Sequence, residues 1–297
     1  MKTIIVTGAN SGLGLWTTKY LLDLDYKVIM ACRNVEKAKT AIDEFTKFNK
    51  SKNYVINQLD LADFESIKNF VDELPENEQI YGLDCNAGII NEKEIKYTKN
   101  NTEETFGVNH LGHFYLTNLL LEKFDIQKIV IISSELHNPL NKSPFAKAVY
   151  KTVREMAYPI VESNRSIKKQ NQEFYSNSKL CNVYFSYEFA RKLIGKSQVN
   201  AYNPGLMPNT NFGKTGSIMN LIFSKILYII GTVFRIATSP EKSAKYVARL
   251  FNEETQTGKY FEKDKAVKSS IDSYDENKAA LIWKDSNELI NEISTKI

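Results

Sequence analysis

Short β-branched runs alternate with amphipathic stretches along the whole chain, and this rhythm constrains the fold more tightly than any other feature of it. Strand-like runs lie at Lys2–Thr7, Lys27–Cys32, Tyr54–Asp60, Gly82–Asn86, Lys128–Ser133, Gln198–Asn203 and Gly258–Phe261. Helical patterns fall between them at Leu13–Leu24, Val35–Lys47, Asp63–Leu74, Thr102–Phe124, Glu173–Ile194 and Pro240–Phe251, and a last one covers Glu276–Ile293. Strand, helix and strand at this spacing build a parallel sheet with helices on both faces. Ile129-Val130-Ile131-Ile132 is apolar without interruption, as suits a strand buried on both faces. A length of 297 residues would accommodate two domains. The rhythm meets no boundary, however, so the expectation is one α/β domain over 1–297, a doubly wound parallel sheet. Residues 135–172 break the pattern: they are polar and hold Pro139, Pro144 and Pro159. They read as an insertion at the sheet rim, partly helical around Phe145–Met156.

Charge excludes one class of function. Lys and Arg number 39 and Asp and Glu 35, a net charge of +4 that gives no footprint for nucleic acid. Three scattered cysteines, Cys32, Cys85 and Cys181, suit neither a disulfide framework nor a zinc site and read as reduced thiols of a cytoplasmic protein. Met1-Lys2 runs straight into the first strand, so no signal peptide is expected. The most apolar stretch, Ile218 to Ala237, contains Asn220, Lys225, Gly231 and Arg235 and is a poor membrane-spanning helix.

The first strand leads into Thr7-Gly8-Ala9-Asn10-Ser11-Gly12-Leu13-Gly14, followed by a helix. In such a turn Gly8 permits the tight bend, Gly12 lets backbone approach a pyrophosphate, and Gly14 lets helix pack on strand. The helix N-terminus then presents free N–H groups to phosphate. The glycines are spaced Gly-x-x-x-Gly-x-Gly.

That spacing resembles the short-chain dehydrogenase/reductase family, whose other motifs follow here in order. Asp60-Leu61 follows the third strand, where the family places an Asp near the adenine. Asn86-Ala87-Gly88 follows the fourth, with Cys85 in place of the family's first Asn. Asn109-His110-Leu111-Gly112-His113-Phe114 matches the helix Asn. Ser133-Ser134 ends the fifth strand, Tyr175-Ser-Asn-Ser-Lys179 matches Tyr-x-x-x-Lys, and Asn203-Pro204-Gly205 ends the sixth, with Met207 and Thr210 just beyond. Val28-Ile-Met-Ala-Cys-Arg33-Asn34 and Ser178-Lys-Leu-Cys-Asn182 are similar to the retinol dehydrogenase and light-dependent protochlorophyllide reductase branch. A photoactive reductase fits less well, because Leu206 stands where that group has a Cys after Pro-Gly. The resemblance implies a Rossmann-type fold. It also implies a homo-oligomer built through Thr102–Phe124 and Glu173–Ile194.

Tyr175 and Lys179 are four apart and share a helix face. A free tyrosine has a pKa of about 10, and a neighbouring Lys⁺ is expected to lower it. Tyr175 can then protonate a carbonyl oxygen as hydride reaches carbon. The resemblance assigns Ser134, not Ser133, to polarise that oxygen, Asn109 to hold a relay water, and Lys179 to bind the nicotinamide ribose as well. His110 and His113 are three apart, but no third ligand is suggested, so no metal is expected.

The second strand ends Ala31-Cys32-Arg33-Asn34 with no acid before Glu36. An acid there would bind the 2′-hydroxyl of NAD, whereas Arg accommodates a 2′-phosphate, so NADP(H) is the expected cofactor. Its binding set is Gly8, Asn10, Ser11, Gly12, Leu13, Gly14, Arg33, Asp60, Leu61, Asn86, Ala87, Gly88, Tyr175, Lys179, Pro204, Gly205, Met207 and Thr210. Residues 206–238 are expected to cover the substrate, a hydrophobic carbonyl or alcohol. Their apolar part, 218–237, has three open destinations: a lid, a peripheral membrane contact, or a second subunit. A non-catalytic NADPH-binding regulator is the rival reading, since fold alone does not fix function.

Overall fold

Ile4, Val6, Val28, Met30 and Val130 pack on one side of a sheet, and Ile5, Ile29, Leu83, Ile129 and Ile131 on the other. Successive side chains of a strand point to opposite faces, so these uninterrupted runs fill two helical layers at once. The computed structural model describes residues 1–45, 52–207 and 238–295. Its strands are β1 (Thr3–Thr7), β2 (Lys27–Cys32), β3 (Tyr54–Gln58), β4 (Ile80–Cys85), β5 (Lys128–Ile132), β6 (Gln198–Asn203), β7 (Tyr260–Glu262) and β8 (Lys265–Val267). They are ordered β3-β2-β1-β4-β5-β6-β7-β8, parallel through β7, with β8 antiparallel at the edge. The strand order reverses between β1 and β4, which opens a crevice at their C-terminal ends, where such sheets bind ligands. The α/β, doubly wound single domain expected from the sequence is the fold observed.

Helices α1 (Gly12–Asp23), α2 (Val35–Phe45) and α3 (Phe64–Asp72) follow the first three strands. The segment after β4 is one helical rod in three parts: α4 (Glu104–Phe106), a π turn (Gly107–Gly112) and α5 (His113–Lys123). A Cβ on Gly112 would fall 2.5 Å from the Leu61 carbonyl oxygen, so the rod lies against the end of β3 with no room for a side chain. The expected helix over Phe145–Met156 is shorter, α6 (Val153–Ala157), started by a Thr152/Glu155 capping box. Helix α7 (Ile167–Lys192) begins six residues before the expected Glu173. Ser166 caps it by accepting from Lys169 N–H, so part of the apparent insertion belongs to α7. Helices α8 (Pro240–Asn252) and α9 (Glu276–Ser294) complete the described residues.

Every residue of α7 from Glu173 to Ala190 is buried. The sheet covers one side, and α9 covers another, with Trp283 seated 4.2 Å from the Phe189 ring centre. Of the stretch Glu173–Ile194 expected at an oligomer contact, Lys192 and Ile194 are exposed. The lid or membrane segment 218–237, and Thr210, lie outside the described residues. No helix among the described residues is long and apolar enough to cross a membrane.

Asp84 is an anomaly in the core. It lies on β4 between Val6 and Val130, is fully buried, and neither carboxyl oxygen has a hydrogen-bond partner among the described residues. Burial raises its pKa well above the usual carboxylate range. The native state therefore keeps this proton longer than the unfolded chain, and stability falls as pH rises past the ordinary carboxylate value. Asp84→Val is expected to stabilise by about 1–3 kcal/mol, the cost of an unmet buried polar group. The gain, read from urea midpoints, should be larger at pH 8 than at pH 5; an equal or opposite trend overturns this account of Asp84.

Candidate active site

The C-terminal ends of β1 and β4 are stitched by Thr7. Its Oγ1 accepts from Asn86 N–H at 2.9 Å and Ala87 N–H at 3.0 Å, while the Asn86 amide donates to Thr7 O at 2.7 Å. Gly8 and Gly12 both adopt left-handed backbone, with φ of 65° and 55°, a region other residues enter at a cost. A Cβ on Gly14 would fall 2.5 Å from Asn86 Nδ2 and 2.8 Å from Gly8 O, so bareness here lets helix meet strand. Ser11 opens α1 but its side chain makes no cap. The helix thus begins without a side-chain partner for its first N–H groups, the arrangement that receives phosphate.

The other expected cofactor residues line the same edge. Arg33 is exposed just beyond β2 and forms no ion pair among the described residues. Asp60 bonds its own turn, Oδ1 accepting from Ala62 N–H at 3.0 Å, and Leu61 is buried beside Gly112. Gly88 lies alongside the catalytic candidates, since a Cβ there would stand 3.5 Å from Lys179 Nζ and 3.4 Å from Asn109 Oδ1. Beyond β6, Gly205 is held with φ of 76° as its N–H donates to Asn203 Oδ1, and Pro204 O accepts from Ser243 Oγ. Asn10 and Leu13 sit in the turn, and Met207 is half-buried against the α1 layer. Uncapped helix start, bare glycines and unpaired Arg33 together fit a nicotinamide dinucleotide.

Two serines separate cleanly. Ser133 Oγ donates to the Lys179 carbonyl at 2.9 Å and is tied into α7. Ser134 opens a 3-10 turn (Glu135–His137) and its hydroxyl is hydrogen-bonded to the Tyr175 phenol. Lys179 Nζ donates to Ile132 O at 3.1 Å and lies 5.6 Å from the centre of the Tyr175 ring. The structure therefore brings Ser134, Tyr175 and Lys179 together.

The electrostatics correct one expectation. Burial pushes the Tyr175 phenol above its usual pKa; the Ser134 hydrogen bond pulls it partly back. The lowering expected from Lys179 does not outweigh that burial: its ammonium gives one of three N–H groups to Ile132 O and is itself pushed down to about 8 by burial. The phenol is protonated near neutrality and stands ready as a proton donor.

Asn109 ties the segment after β4 to α7. Its Oδ1 accepts from Ile89 N–H at 2.8 Å, and its Nδ2 donates to Ile89 O and Ser178 Oγ at 3.0 and 3.1 Å. Ser178 in turn donates to Tyr175 O at 2.7 Å. Asn109 thus positions the catalytic helix, and only one lone pair of Oδ1 remains for a water. The π turn carries this residue, a common place for such irregularity. His110 and His113 are buried and neutral, pushed down to about 4 and 3 by desolvation. His113 Nε2 accepts from Thr7 Oγ1 at 2.9 Å, and His110 Nε2 from Ser286 Oγ at 3.1 Å. Among the described residues no three His, Cys, Asp or Glu side chains converge on a metal position. Thr7, Ser178 and His137 were not foreseen, for their roles arise from contacts between distant segments that no local pattern carries.

Residues 2–150 match the family model described as short chain dehydrogenase. The chain is 32% identical to retinol dehydrogenase 14 of Homo sapiens, over 95% of this chain and 84% of that one. It is also 32% identical to retinol dehydrogenase 13 of Homo sapiens, over 97% and 84%. A crystal structure of an uncharacterized protein from Mycobacterium Paratuberculosis superposes with a TM-score of 0.72 at 25% identity, covering 97% of this chain and 93% of that one. The chain belongs to the short-chain dehydrogenase/reductase family, in its retinol dehydrogenase-like branch, and is an oxidoreductase of alcohols and carbonyls that uses NAD(P)(H).

Proposed function

We propose that this protein transfers hydride between NADPH and the carbonyl of a hydrophobic aldehyde or ketone. The observation that carries the reading is the Ser134–Tyr175 hydroxyl pair beside Lys179, at the sheet edge that also bears the Gly8–Gly14 turn. The Gly8–Gly14 turn and the start of α1 would hold the pyrophosphate, Asp60 and Leu61 would flank the adenine, and Asn86-Ala87-Gly88 with Pro204-Gly205 would border the nicotinamide end. Thr210, outside the described residues, belongs to the same expected set. Bound, the reduced nicotinamide supplies the hydride. Ser134 Oγ donates a hydrogen bond to the carbonyl oxygen and orients it. Tyr175 gives that oxygen its proton, completing the alcohol, and the Lys179 ammonium steadies the phenolate left behind. Burial around Tyr175 excludes water from the transfer.

Arg33 supports the NADP(H) preference: its guanidinium forms no ion pair among the described residues, and no carboxylate lies between the end of β2 and Glu36 to receive a free hydroxyl. The names of the relatives and the apolar composition of 218–237 support a bulky apolar substrate. The test is nicotinamide absorbance with purified protein over aldehydes graded from acetaldehyde through nonanal to retinal, with NADPH and NADH. Turnover is expected with NADPH and the bulky members. Arg33→Ala is expected to weaken NADPH about 10- to 100-fold, the loss of a charge-assisted contact, and to leave NADH nearly unchanged. NADPH binding without turnover would favour the regulatory reading. Equal weakening of both cofactors would remove Arg33 as the selector.

A further inference from the structure

His137 closes the 3-10 turn that Ser134 opens, and its ring is buried. Nδ1 lies 2.6 Å from the Ser134 carbonyl oxygen, and Nε2 lies 3.0 Å from the backbone N–H of Ser270. A carbonyl can only accept and an N–H can only donate. The two partners therefore fix one tautomer, with the proton on Nδ1 and a bare Nε2. An imidazolium would set a second N–H against that of Ser270, so the ring is neutral in this place. The ring also packs at 4.8 Å against Tyr260 on β7.

The far anchor is firm and leads back to the catalytic helix. Ser269 Oγ is bonded to Tyr187 Oη of α7 at 2.6 Å and to Ser273 Oγ at 2.7 Å. Tyr187 lies on the helix that carries Tyr175 and Lys179. Ser134, by contrast, sits past the end of β5, and its other local ties are Leu136 N–H to its hydroxyl and His137 N–H to its carbonyl. The imidazole is the strut between this loop and a segment fixed to α7.

We propose that His137 is a positioning residue: through Ser134 O and Ser270 N–H it holds the Ser134 hydroxyl against the Tyr175 phenol. The inference rests on the reading of Ser134 and Tyr175 as the groups that meet the substrate oxygen. His137 touches neither reacting atom and acts on the rate only through Ser134.

Five variants test it, with NADPH and the aldehyde of the panel that turns over fastest. His137→Phe keeps the ring volume and loses both nitrogens. Its kcat is expected to fall about 10- to 100-fold, the effect of a displacement near 1 Å at a reacting group, with the KM for NADPH unchanged. His137→Asn offers an N–H where Nδ1 stands and is expected to recover most of the rate. His137→Gln offers an acceptor nearer Nε2 and is expected to recover little. In the fourth, Ser134→Ala, adding His137→Phe is expected to cost nothing further, because residues that act as a unit are not additive. Ring-nitrogen NMR of the cofactor-free protein, which has three histidines, should find His137 protonated on Nδ1 at neutral pH. Full activity in His137→Phe, equal recovery by Gln and Asn, additive losses, or a proton on Nε2 overturns the proposal. Full activity in Ser134→Ala, or no turnover on the panel, instead overturns the reading beneath it.

Discussion

Tyr175→Phe is expected to lower kcat for aldehyde reduction by about 10²- to 10⁴-fold, the range for losing a positioned general acid. The substitution deletes one oxygen and keeps the ring that meets Phe145 edge-on at 6.1 Å. Ser134 Oγ retains the N–H of Leu136, so the serine loop keeps its local tie. Fluorescence titration should find NADPH affinity within about twofold of the unaltered protein, as for a group that acts mainly in the transition state. A rate within about tenfold of the original would mean that the proton comes from elsewhere. A loss confined to KM would mean that the hydroxyl binds substrate without donating to it.

Lys179→Met is expected to make the protein more stable and inactive together. The side chain is 3% exposed and donates a hydrogen bond to Ile132 O. Burial lowers its pKa from 10.5 to about 8, a differential cost to the charged form of about 3 kcal/mol in the folded state. The native protein thus releases this proton before the unfolded chain does. Below pH 8 both states are charged and the full cost is borne; between about 8 and 10.5 stability recovers as pH rises; above that the cost is gone. Methionine fills a similar volume without charge, and Asn182 Nδ2 still donates to Ile132 O at 3.1 Å. Guanidinium unfolding at pH 7 should find a gain of about 3 kcal/mol that shrinks as the pH approaches 10.5. An unchanged or lower midpoint would show that the ammonium is well solvated. Retained turnover would show that the phenol needs no cation beside it.

The parallel strands were legible because a chain buried on both faces must be apolar at every step, and Ile129 to Ile132 leave no other reading. β8 was not, since Lys265-Ala266-Val267 is exposed and alternates nothing. Its pairing depends on the turn after β7, where Lys263 adopts φ of 57°. Tyr175, Lys179 and the choice of Ser134 over Ser133 came from motif order, and the structure gathers them. The state of those groups did not come with them. The phenol's state is decided by its burial, which a motif does not carry, and the Lys179 ammonium is shared with a backbone carbonyl on a strand 47 residues away. Asn109 was given the relay water by the family resemblance; which atoms its side chain meets is decided by Ile89 and Ser178. Asp84 gave no warning, for an acid inside a strand pattern is silent until its neighbours are known.

A helix enclosed on all sides exchanges its amide hydrogens only by large-scale opening of the fold. α7 is such a helix from Glu173 to Ala190. Tyr175, Ser178 and Lys179 are thereby anchored in the part of the molecule that opens last, and the motions that admit and release substrate fall to the segments around it. Catalytic geometry and global stability become one property here: a change that loosens the packing of α9 on α7 loosens the chemistry with it.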